Sequence, residues 1–203
     1  MIAQYSIAAL SSIVKSALWE SMLGISTRGE YGDGDATSGE HRRYGTISYV
    51  AIFQLLDALG LASNDVLVDL GCGKGRVVCC AATYKLTQVI GVEDVQELYA
   101  LAQRNVASLR GKRTPVSLVL NDAQSFDFRL GTIFYLFNPF GPETMRAVLR
   151  RLAEGLRVTP RPVRIVYVNA LHEDEFRKCA WLEYSGTCQF QGMKSRASIW
   201  KSV

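Results

Sequence analysis

A glycine-dense turn directly follows a short apolar run in the stretch Val66–Val78, VLVDLGCGKGRVV. The apolar run reaches Asp69, and Gly71, Gly73 and Gly75 precede a segment of small and apolar residues. This order predicts a strand, a turn and a helix, the unit that builds a ligand site at the carboxyl edge of an α/β sheet. The turn therefore marks where the first strand of the predicted sheet ends.

Strand-like apolar runs alternate with helical patterns along the rest of the chain. The predicted strands of this series cover residues 66–70, 89–93, 116–120, 132–137 and 163–168. The predicted helices cover residues 75–85, 95–110 and 142–157, and the strand-like segments 182–190 and 197–201 form a C-terminal antiparallel hairpin. Because strands that alternate with helices pair in parallel, the pattern predicts an α/β fold. We expect a doubly wound, mostly parallel, seven-stranded sheet with helices on both faces.

The chain before the first strand predicts two helices separated by a polar loop. Residues 2–23 carry apolar side chains at helical spacing, which we expect to pack against the domain: Ile7, Leu10, Val14, Leu18 and Met22. Residues 24–43 form the loop and residues 44–60 the second helix, which Thr46 or Ser48 caps. A helix that precedes the core can also act as a lid, and both interpretations stay open.

The composition limits the classes of function. With 203 residues, 48% of them hydrophobic, the chain is long enough for one sizeable globular domain. A formal net charge of +4 and the lack of a long Lys/Arg run give no reason to expect a nucleic-acid partner. Five Cys without a CxxC pair and two distant His argue against a metal site and favour reduced thiols in a cytoplasmic protein. No apolar run reaches the roughly 20 residues of a membrane-spanning helix.

The glycine spacing separates several kinds of nucleotide site. Dinucleotide sites use G-x-G-x-x-G to hold a pyrophosphate at a helix N-terminus, whereas here the third glycine, Gly75, comes one residue early. The sequence also contains no phosphate-binding loop of the form G-x-x-x-x-G-K-[ST]. The spacing therefore disfavours a nicotinamide-dependent oxidoreductase, for which a Tyr-x-x-x-Lys pair is not evident either.

The segment D-L-G-C-G-K-G, residues 69–75, resembles motif I of the class I S-adenosylmethionine-dependent methyltransferases. The resemblance extends over about residues 44–170 and is nearest to small bacterial methyltransferases with a Dot1-like fold. It implies a Rossmann-like methyltransferase domain over residues 46–203, with residues 1–45 as an N-terminal helix and loop that serve as a lid or substrate segment. S-adenosylmethionine is the implied cofactor, and no metal is implied.

The resemblance assigns the glycine turn to the methionine part of the cofactor. Asp69 is expected to hold the cofactor's amino group, because a carboxylate neutralises an ammonium and accepts its hydrogen bonds. Gly71 and Gly73 are expected to let the backbone approach the ligand closely, and Cys72 and Gly75 belong to the same turn.

Two further strand ends carry the other implied cofactor contacts. Glu93 is expected to accept both ribose hydroxyls, since a carboxylate has two acceptor oxygens, and Asp94 beside it is the less favoured partner. Asp122 is expected to meet the adenine amino group, with the backbone of Ala123 as a neighbouring contact; an Asx turn or helix cap is the alternative for Asp122. Two candidate contacts precede the domain core: Thr46 and Tyr49.

The sequence Asn138-Pro139-Phe140-Gly141 follows the fourth strand, whose end faces the transferred methyl group in this fold. It resembles the N-P-P-[YF] motif of methyltransferases that act on planar nitrogen, but it lacks the second proline. Asn138, Pro139 and Phe140 are the implied catalytic residues, and Asn138 can present its side-chain and main-chain carbonyls to an acceptor because Pro139 favours an extended backbone before it.

Three residues are candidate substrate contacts: His41, Tyr44 and His172. His172 follows the fifth strand, where it can act as a general base. Lys74 and Arg76, by contrast, are expected to be surface residues at the start of a helix.

These observations predict a methyltransferase that moves the methyl group in a direct in-line displacement to a nucleophilic N or O acceptor. A small molecule is the expected acceptor, because no inserted recognition domain or basic stripe is evident. A protein methyltransferase acting on lysine or another amine is the alternative. A nicotinamide-dependent oxidoreductase and a non-catalytic cofactor-binding module are the remaining interpretations.

Overall fold

A computed structural model describes residues 7–29, 45–138, 140–190 and 195–203, with side chains from residue 14 onwards. The helices are α1 (Ile7–Leu23), α2 (Tyr49–Ala58), α3 (Arg76–Ala81), α4 (Gln96–Ser108), α5 (Pro142–Val158) and α6 (Glu173–Arg177). The strands are β1 (Val66–Leu70), β2 (Gln88–Glu93), β3 (Val116–Leu120), β4 (Ile133–Phe137), β5 (Arg164–Val168), β6 (Leu182–Gln189) and β7 (Arg196–Ser202). A single 3₁₀ turn, Ala123–Ser125, follows β3.

The seven strands form one sheet in the order β3-β2-β1-β4-β5-β7-β6. Strands β1 to β5 are parallel, and β7 pairs antiparallel with both β5 and β6. The predicted fold class, a mostly parallel seven-stranded sheet with a C-terminal antiparallel hairpin, is confirmed. Because β1 lies between β2 and β4, the chain order reverses at β1, and in such sheets a ligand crevice opens at the carboxyl edge there.

The sheet is covered on both faces. Side chains of α2, α3 and α4 pack on one face, and side chains of α5 and α6 pack on the other. All five residues of β1 are buried, as expected for a central parallel strand covered by helices on both sides. The carboxyl edge of β1 is therefore held rigidly between two packed layers.

The predicted packing face of α1 is wrong for the three of its side chains that are described. Val14, Leu18 and Met22 are 56%, 60% and 65% exposed. The opposite side of the helix faces the domain instead: Trp19 packs against an aromatic ring of α2, Phe53, at 4.8 Å between centroids, and Leu23 is buried. The apolar spacing indicates a helix but does not reveal which side of it is covered.

The start of α2 agrees with one of the two predicted caps. The Ser48 hydroxyl accepts a hydrogen bond from the backbone N–H of Ala51 at 3.2 Å, so Ser48 rather than Thr46 caps the helix. No helix in the described ranges combines the length and apolar character needed to cross a bilayer.

Candidate functional site

The glycine turn between β1 and α3 depends on left-handed backbone conformations. Gly71, Gly73 and Gly75 have φ angles of 81°, 54° and 79°, which side-chain-bearing residues rarely adopt. A Cβ atom on Gly75 would also lie only 3.3 Å from the Cβ of Ala102 in α4. The backbone N–H groups of Gly71 and Cys72 both donate to the carbonyl of Val92 at 2.9 Å, which ties the turn to β2.

Two carboxylates are buried beside this turn. Asp69 and Glu93 are 2% and 6% exposed, and they lie near the carboxyl ends of the adjacent strands β1 and β2. Glu93 accepts hydrogen bonds from the backbone N–H groups of Gly73 (2.6 Å, at Oε2) and Val95 (3.1 Å, at Oε1). No Lys, Arg or His in the described part of the chain forms an ion pair with either carboxylate.

Burial without a neighbouring cation shifts the pKa values of both carboxyl groups. Burial raises the pKa of Asp69 well above its usual value, and the nearby Glu93 charge raises it further. Burial also raises the pKa of Glu93, although the hydrogen bonds from Val95 and Gly73 act in the opposite direction. Burial and the neighbouring Asp69 likewise raise the pKa of the Cys72 thiol, so the thiol stays protonated.

A cleft opens at the carboxyl edge beside the turn. Its lining residues come from the segment before α2, the glycine turn, α3 and β4: Gly45, Thr46, Asp69, Gly71, Cys72, Arg76, Val77, Tyr135 and Phe137. Tyr135 is the β4 residue in register with Asp69. The cleft thus brings together the predicted site residues Thr46, Asp69, Gly71 and Cys72, whereas Glu93 is not among its lining residues and accepts a hydrogen bond from the turn.

Arg76 and Lys74 are buried, and the prediction that they are surface residues is wrong. The Arg76 guanidinium donates from Nε to the Thr27 hydroxyl at 2.7 Å and from Nη1 to the Ile47 carbonyl at 3.1 Å. The Lys74 ammonium donates to the backbone carbonyls of Arg28 and Gly29 at 2.9 and 2.8 Å. Both cations therefore hold the chain between α1 and α2 against the glycine turn, through partners 29 to 49 residues away in sequence.

Glu20 of α1 completes this arrangement, and we call Glu20, Thr27, Arg28, Tyr49 and Arg76 the N-terminal polar cluster. Glu20 is 4% exposed, and its oxygens accept hydrogen bonds from the Thr27 backbone N–H at 2.7 Å and from Arg28 Nε at 2.6 Å. Burial alone would raise the pKa of Glu20, but these hydrogen bonds and the Arg28 charge outweigh burial, so the pKa is lowered.

Tyr49, a predicted cofactor contact, lies beneath the cleft within the N-terminal polar cluster. Its hydroxyl is 2.7 Å from the Thr27 hydroxyl, and the Arg76 guanidinium lies 4.5 Å from its ring centroid. Tyr49 is buried, and burial raises the pKa of its hydroxyl. Arg76 lines the cleft and Tyr49 does not. Tyr49 therefore supports Arg76 and does not face the cleft itself.

The end of β3 lies further along the carboxyl edge. Asp122 is exposed, and its side chain accepts a hydrogen bond from the Gln124 backbone N–H at 2.8 Å, which caps the 3₁₀ turn. Ala123 is buried and Asp94 is exposed. These three residues lie outside the cleft lining, and their cofactor roles stay predictions.

The ends of β4 and β5 form the other half of the edge. The extended backbone predicted for Asn138 is wrong, because its φ is 45°; its side-chain oxygen accepts a hydrogen bond from the Tyr167 hydroxyl at 3.0 Å. Phe140 is partly buried against the core on the α5 side of the sheet. His172 is half-buried, and its carbonyl accepts the Glu175 backbone N–H at the start of α6. Pro139, His41 and Tyr44 lie outside the described residues.

Several residues at this edge have no part in the sequence-based site. Arg76, Val77, Tyr135 and Phe137 line the cleft, and Tyr167 contacts Asn138. One signal for Arg76 was available, because an arginine begins an otherwise apolar helix, RVVCCA, directly after the turn. Across the described ranges, there is no group of three or more His, Cys, Asp or Glu side chains that could hold a metal ion.

One family model matches part of this chain. The sequence model of the family described as histone methylation protein DOT1 matches residues 35–115, which is less than half of the chain. No curated protein matches the chain.

Several solved structures of methyltransferases share the fold. An RNA methyltransferase from Salinibacter ruber in complex with S-adenosylhomocysteine is 20% identical with a TM-score of 0.57, over 78% of this chain and 92% of that one. A Leishmania major S-adenosylmethionine-dependent methyltransferase is 12% identical with a TM-score of 0.60, over 74% and 71%. An O-methyltransferase from Thermotoga maritima is 14% identical with a TM-score of 0.59, over 79% and 68%. The chain therefore has the Rossmann-like fold of class I S-adenosylmethionine-dependent methyltransferases, as the sequence predicted.

Proposed function

We propose that the chain binds S-adenosylmethionine at the carboxyl edge of its sheet and transfers the methyl group to a nitrogen or oxygen acceptor. The observation that carries this proposal is the pair of buried carboxylates, Asp69 and Glu93, beside the glycine turn. Buried carboxylates cost free energy unless a partner compensates them. A ligand that brings an ammonium and a pair of hydroxyl donors supplies such partners.

The charges in the cleft support the methionine end of that ligand. Asp69 and Arg76 both line the cleft, so an anion and a cation border the same space. An amino-acid moiety carries an ammonium and a carboxylate together. In this proposal Asp69 accepts the ammonium, Arg76 faces the carboxylate, and the Gly71–Gly75 turn lets the backbone approach the chain between them.

The remaining predicted contacts follow the carboxyl edge away from β1. Each Glu93 oxygen already accepts one backbone N–H group and retains a second lone pair, so a ribose diol can still bind. Further along, Asp122 and the backbone of Ala123 are proposed for the adenine, and Asp94 is a second choice beside Glu93. Thr46, in the segment before α2, lines the cleft. We assign the segment 1–45 a lid or substrate role.

When bound, the sulfonium supplies an activated methyl group. The acceptor's lone pair forms a bond to the methyl carbon while the carbon–sulfur bond breaks, with its electron pair passing to sulfur as S-adenosylhomocysteine forms. A nitrogen or oxygen acceptor then releases a proton to water. The residues of this chain contribute mainly orientation, which can be worth about 7–11 kcal/mol at the extreme. Asn138, Pro139 and Phe140 are proposed to hold the acceptor at the end of β4.

The acceptor class is the finer part of the proposal. We favour a small molecule, because the described part of the chain contains no separate recognition domain. The match to the DOT1 family model over residues 35–115 favours a protein amine as the second candidate. The prediction that no nucleic acid is bound lacks support, since the same fold occurs in an RNA methyltransferase.

Isothermal titration calorimetry tests the cofactor. We expect S-adenosylhomocysteine to bind with a micromolar dissociation constant, on the order of −8 kcal/mol, and NAD not to bind. Transfer of tritiated methyl groups from S-adenosylmethionine to pooled small amines and phenols, to lysine-containing peptides and to RNA then compares the acceptor classes. Lack of S-adenosylhomocysteine binding at millimolar concentration would exclude the proposed function.

A further inference from the structure

Two asparagines occupy strained backbone positions at the ends of neighbouring strands. Asn138 and Asn169 have φ angles of 45° and 50°, and they are the only non-glycine residues with positive φ in the described ranges. They follow β4 and β5 directly, and the register pairs Phe137 with Val168, so the two asparagines are neighbours at the carboxyl edge. Asparagine tolerates this conformation better than most residues, but it still carries a cost that surrounding contacts must offset.

A specific contact secures one of the two positions. The Tyr167 hydroxyl donates to Asn138 Oδ1 at 3.0 Å. The Tyr167 side chain is fully buried, and its ring stacks on Phe176 with the centroids 5.2 Å apart. Phe176 in turn packs against Trp200 of β7 at 5.5 Å. The hydroxyl is thus fixed by a buried aromatic stack rather than by a flexible loop.

The hydrogen bond changes what Asn138 can offer to an acceptor. It uses one lone pair of the side-chain oxygen and directs that oxygen towards β5. The main-chain carbonyl of Asn138 follows directly after β4, and its direction depends on the Asn138 backbone, whose φ is 45°. A nitrogen acceptor needs its N–H groups held while its lone pair points at the methyl carbon, and a carbonyl at this point can hold them.

We propose that Tyr167 is a positioning residue that locks Asn138 in its left-handed conformation, so that the main-chain carbonyl of Asn138 receives the N–H group of the methyl acceptor. This proposal rests on the proposed function. It departs from the sequence-based expectation, in which the side-chain carbonyl of Asn138 was an equal candidate, and it adds a residue 29 positions away to the site.

The test does not need the natural acceptor. Sinefungin carries a primary ammonium where the cofactor carries its sulfonium methyl, so its N–H groups report on the carbonyl at that point. S-adenosylhomocysteine lacks the ammonium and serves as the reference ligand. Calorimetry with both ligands on wild type, Tyr167→Phe, Asn138→Gly, Asn138→Ala and the double variant Asn138→Gly/Tyr167→Phe gives the selectivity between the ligands.

We expect Tyr167→Phe to weaken sinefungin binding about tenfold while S-adenosylhomocysteine binding changes less than about twofold. Asn138→Gly should keep sinefungin within about threefold of wild type, because glycine adopts the left-handed conformation freely. Asn138→Ala should bind sinefungin about tenfold more weakly, because alanine disfavours that conformation. In the Asn138→Gly background, Tyr167→Phe should have no further effect.

Tyr84→Phe is the matched control, since that hydroxyl donates to Asp57 at 2.6 Å and Tyr84 does not line the cleft. It should leave both affinities unchanged. The positioning role would be overturned if Tyr167→Phe lowered the affinity for both ligands equally. It would also be overturned if Tyr167→Phe still weakened sinefungin binding in the Asn138→Gly background. A loss in Asn138→Gly as large as in Asn138→Ala would assign the contact to the side chain and overturn the main-chain carbonyl. Absence of S-adenosylhomocysteine binding in wild type would instead contradict the proposed function itself.

Discussion

Buried carboxylates lie in two places near the glycine turn, and the charges around them differ. Glu20 lies among cations and donors in the N-terminal polar cluster, with Arg28 Nε at 2.6 Å and Arg76 Nη2 at 3.9 Å. Asp69 and Glu93 lie beside the glycine turn without an ion-pair partner among the residues that the structure describes. The pKa of Glu20 is accordingly lowered, while burial raises the pKa values of Asp69 and Glu93.

Under the proposed function, this difference separates a charge that stabilises the fold from a charge that binds the cofactor. A buried carboxylate that has its cation within the protein stabilises the fold, because removing it leaves that cation unpaired. A buried carboxylate without one destabilises the free protein, and a ligand that supplies the cation gains by binding there. Substitutions at the two places should therefore shift the free energy of unfolding in opposite directions.

The largest expected effect is at Asp69. Asp69→Asn keeps the size of the side chain and removes its charge, so S-adenosylhomocysteine affinity should fall about 100-fold, or about 3 kcal/mol. The free energy of unfolding of the ligand-free protein should nevertheless rise by about 1 kcal/mol, because an unpaired buried charge is lost. Calorimetry and urea denaturation measure the two quantities.

The exposed pair of Asp127 and Arg129, 2.5 Å apart, offers a control for this substitution. Asp127→Asn should change neither cofactor affinity nor stability by more than about 0.5 kcal/mol, as is usual for an exposed ion pair. Wild-type affinity in Asp69→Asn would show that the buried carboxylate does not receive the ligand's ammonium.

The next effect is at Glu20, with the opposite sign. Glu20→Gln leaves Arg28 and Arg76 without their counter-charge and should lower the free energy of unfolding by about 2 kcal/mol. This lies below the cost for a fully buried pair, because Arg28 is 47% exposed. Cofactor affinity should fall by less than about threefold, since Glu20 does not line the cleft.

Glu143→Gln is the matched control for Glu20, because Glu143 is 88% exposed and its nearest cation, on Arg146, is 3.9 Å away. Urea denaturation should show almost no change for that variant. A Glu20→Gln protein as stable as wild type, or more stable, would remove the distinction between the two groups of carboxylates.

The pH dependence of stability provides a third, smaller effect. The folded-state pKa of Asp69 is raised, so the unfolded state ionises first and stability falls as pH rises between the two pKa values. The gain from Asp69→Asn should therefore be about 1 kcal/mol near about pH 8 and vanish below about pH 3, where Asp69 is protonated in both states.

Glu20 should behave in the reverse way. Its folded-state pKa is lowered, so its contribution is present above the ordinary glutamate pKa and is lost as pH falls through the folded value. The deficit of Glu20→Gln should thus be full near about pH 7 and shrink towards about pH 3. Urea titrations across this range measure both variants, and parallel pH profiles for the two would contradict the assigned environments.

Much of the fold, and the glycine turn with its two acidic neighbours, could be predicted because the signals are local. The strand ending in Asp69, the glycine spacing and the acidic end of β2 are each readable within a few residues of sequence. The partners of Lys74 and Arg76 could not be read this way, since they lie on a segment 29 to 49 residues earlier. The contact between Tyr167 and Asn138 depends in the same way on two strands meeting in the sheet.

The N-terminal helix shows where a local signal misleads. Its apolar spacing indicates a helix, but the side that faces the domain carries Trp19, Leu23 and the charged Glu20. A charge on a buried face contradicts simple amphipathic patterning, and the donors from Thr27, Arg28 and Tyr49 offset the cost of that burial. The sequence alone gives no sign that these donors turn towards α1.

The smallest expected effect tests that orientation of α1. Leu18 is 60% exposed, so Leu18→Lys should change the free energy of unfolding by no more than about 0.5 kcal/mol. Trp19→Ala on the side that faces the domain should cost about 2 kcal/mol, because it removes the aromatic contact with Phe53 at 4.8 Å. Urea denaturation compares the two variants. If Leu18→Lys lowered the free energy of unfolding by more than about 1 kcal/mol, the apolar side of α1 would be covered in the folded protein. The packing face predicted from the sequence would then be correct.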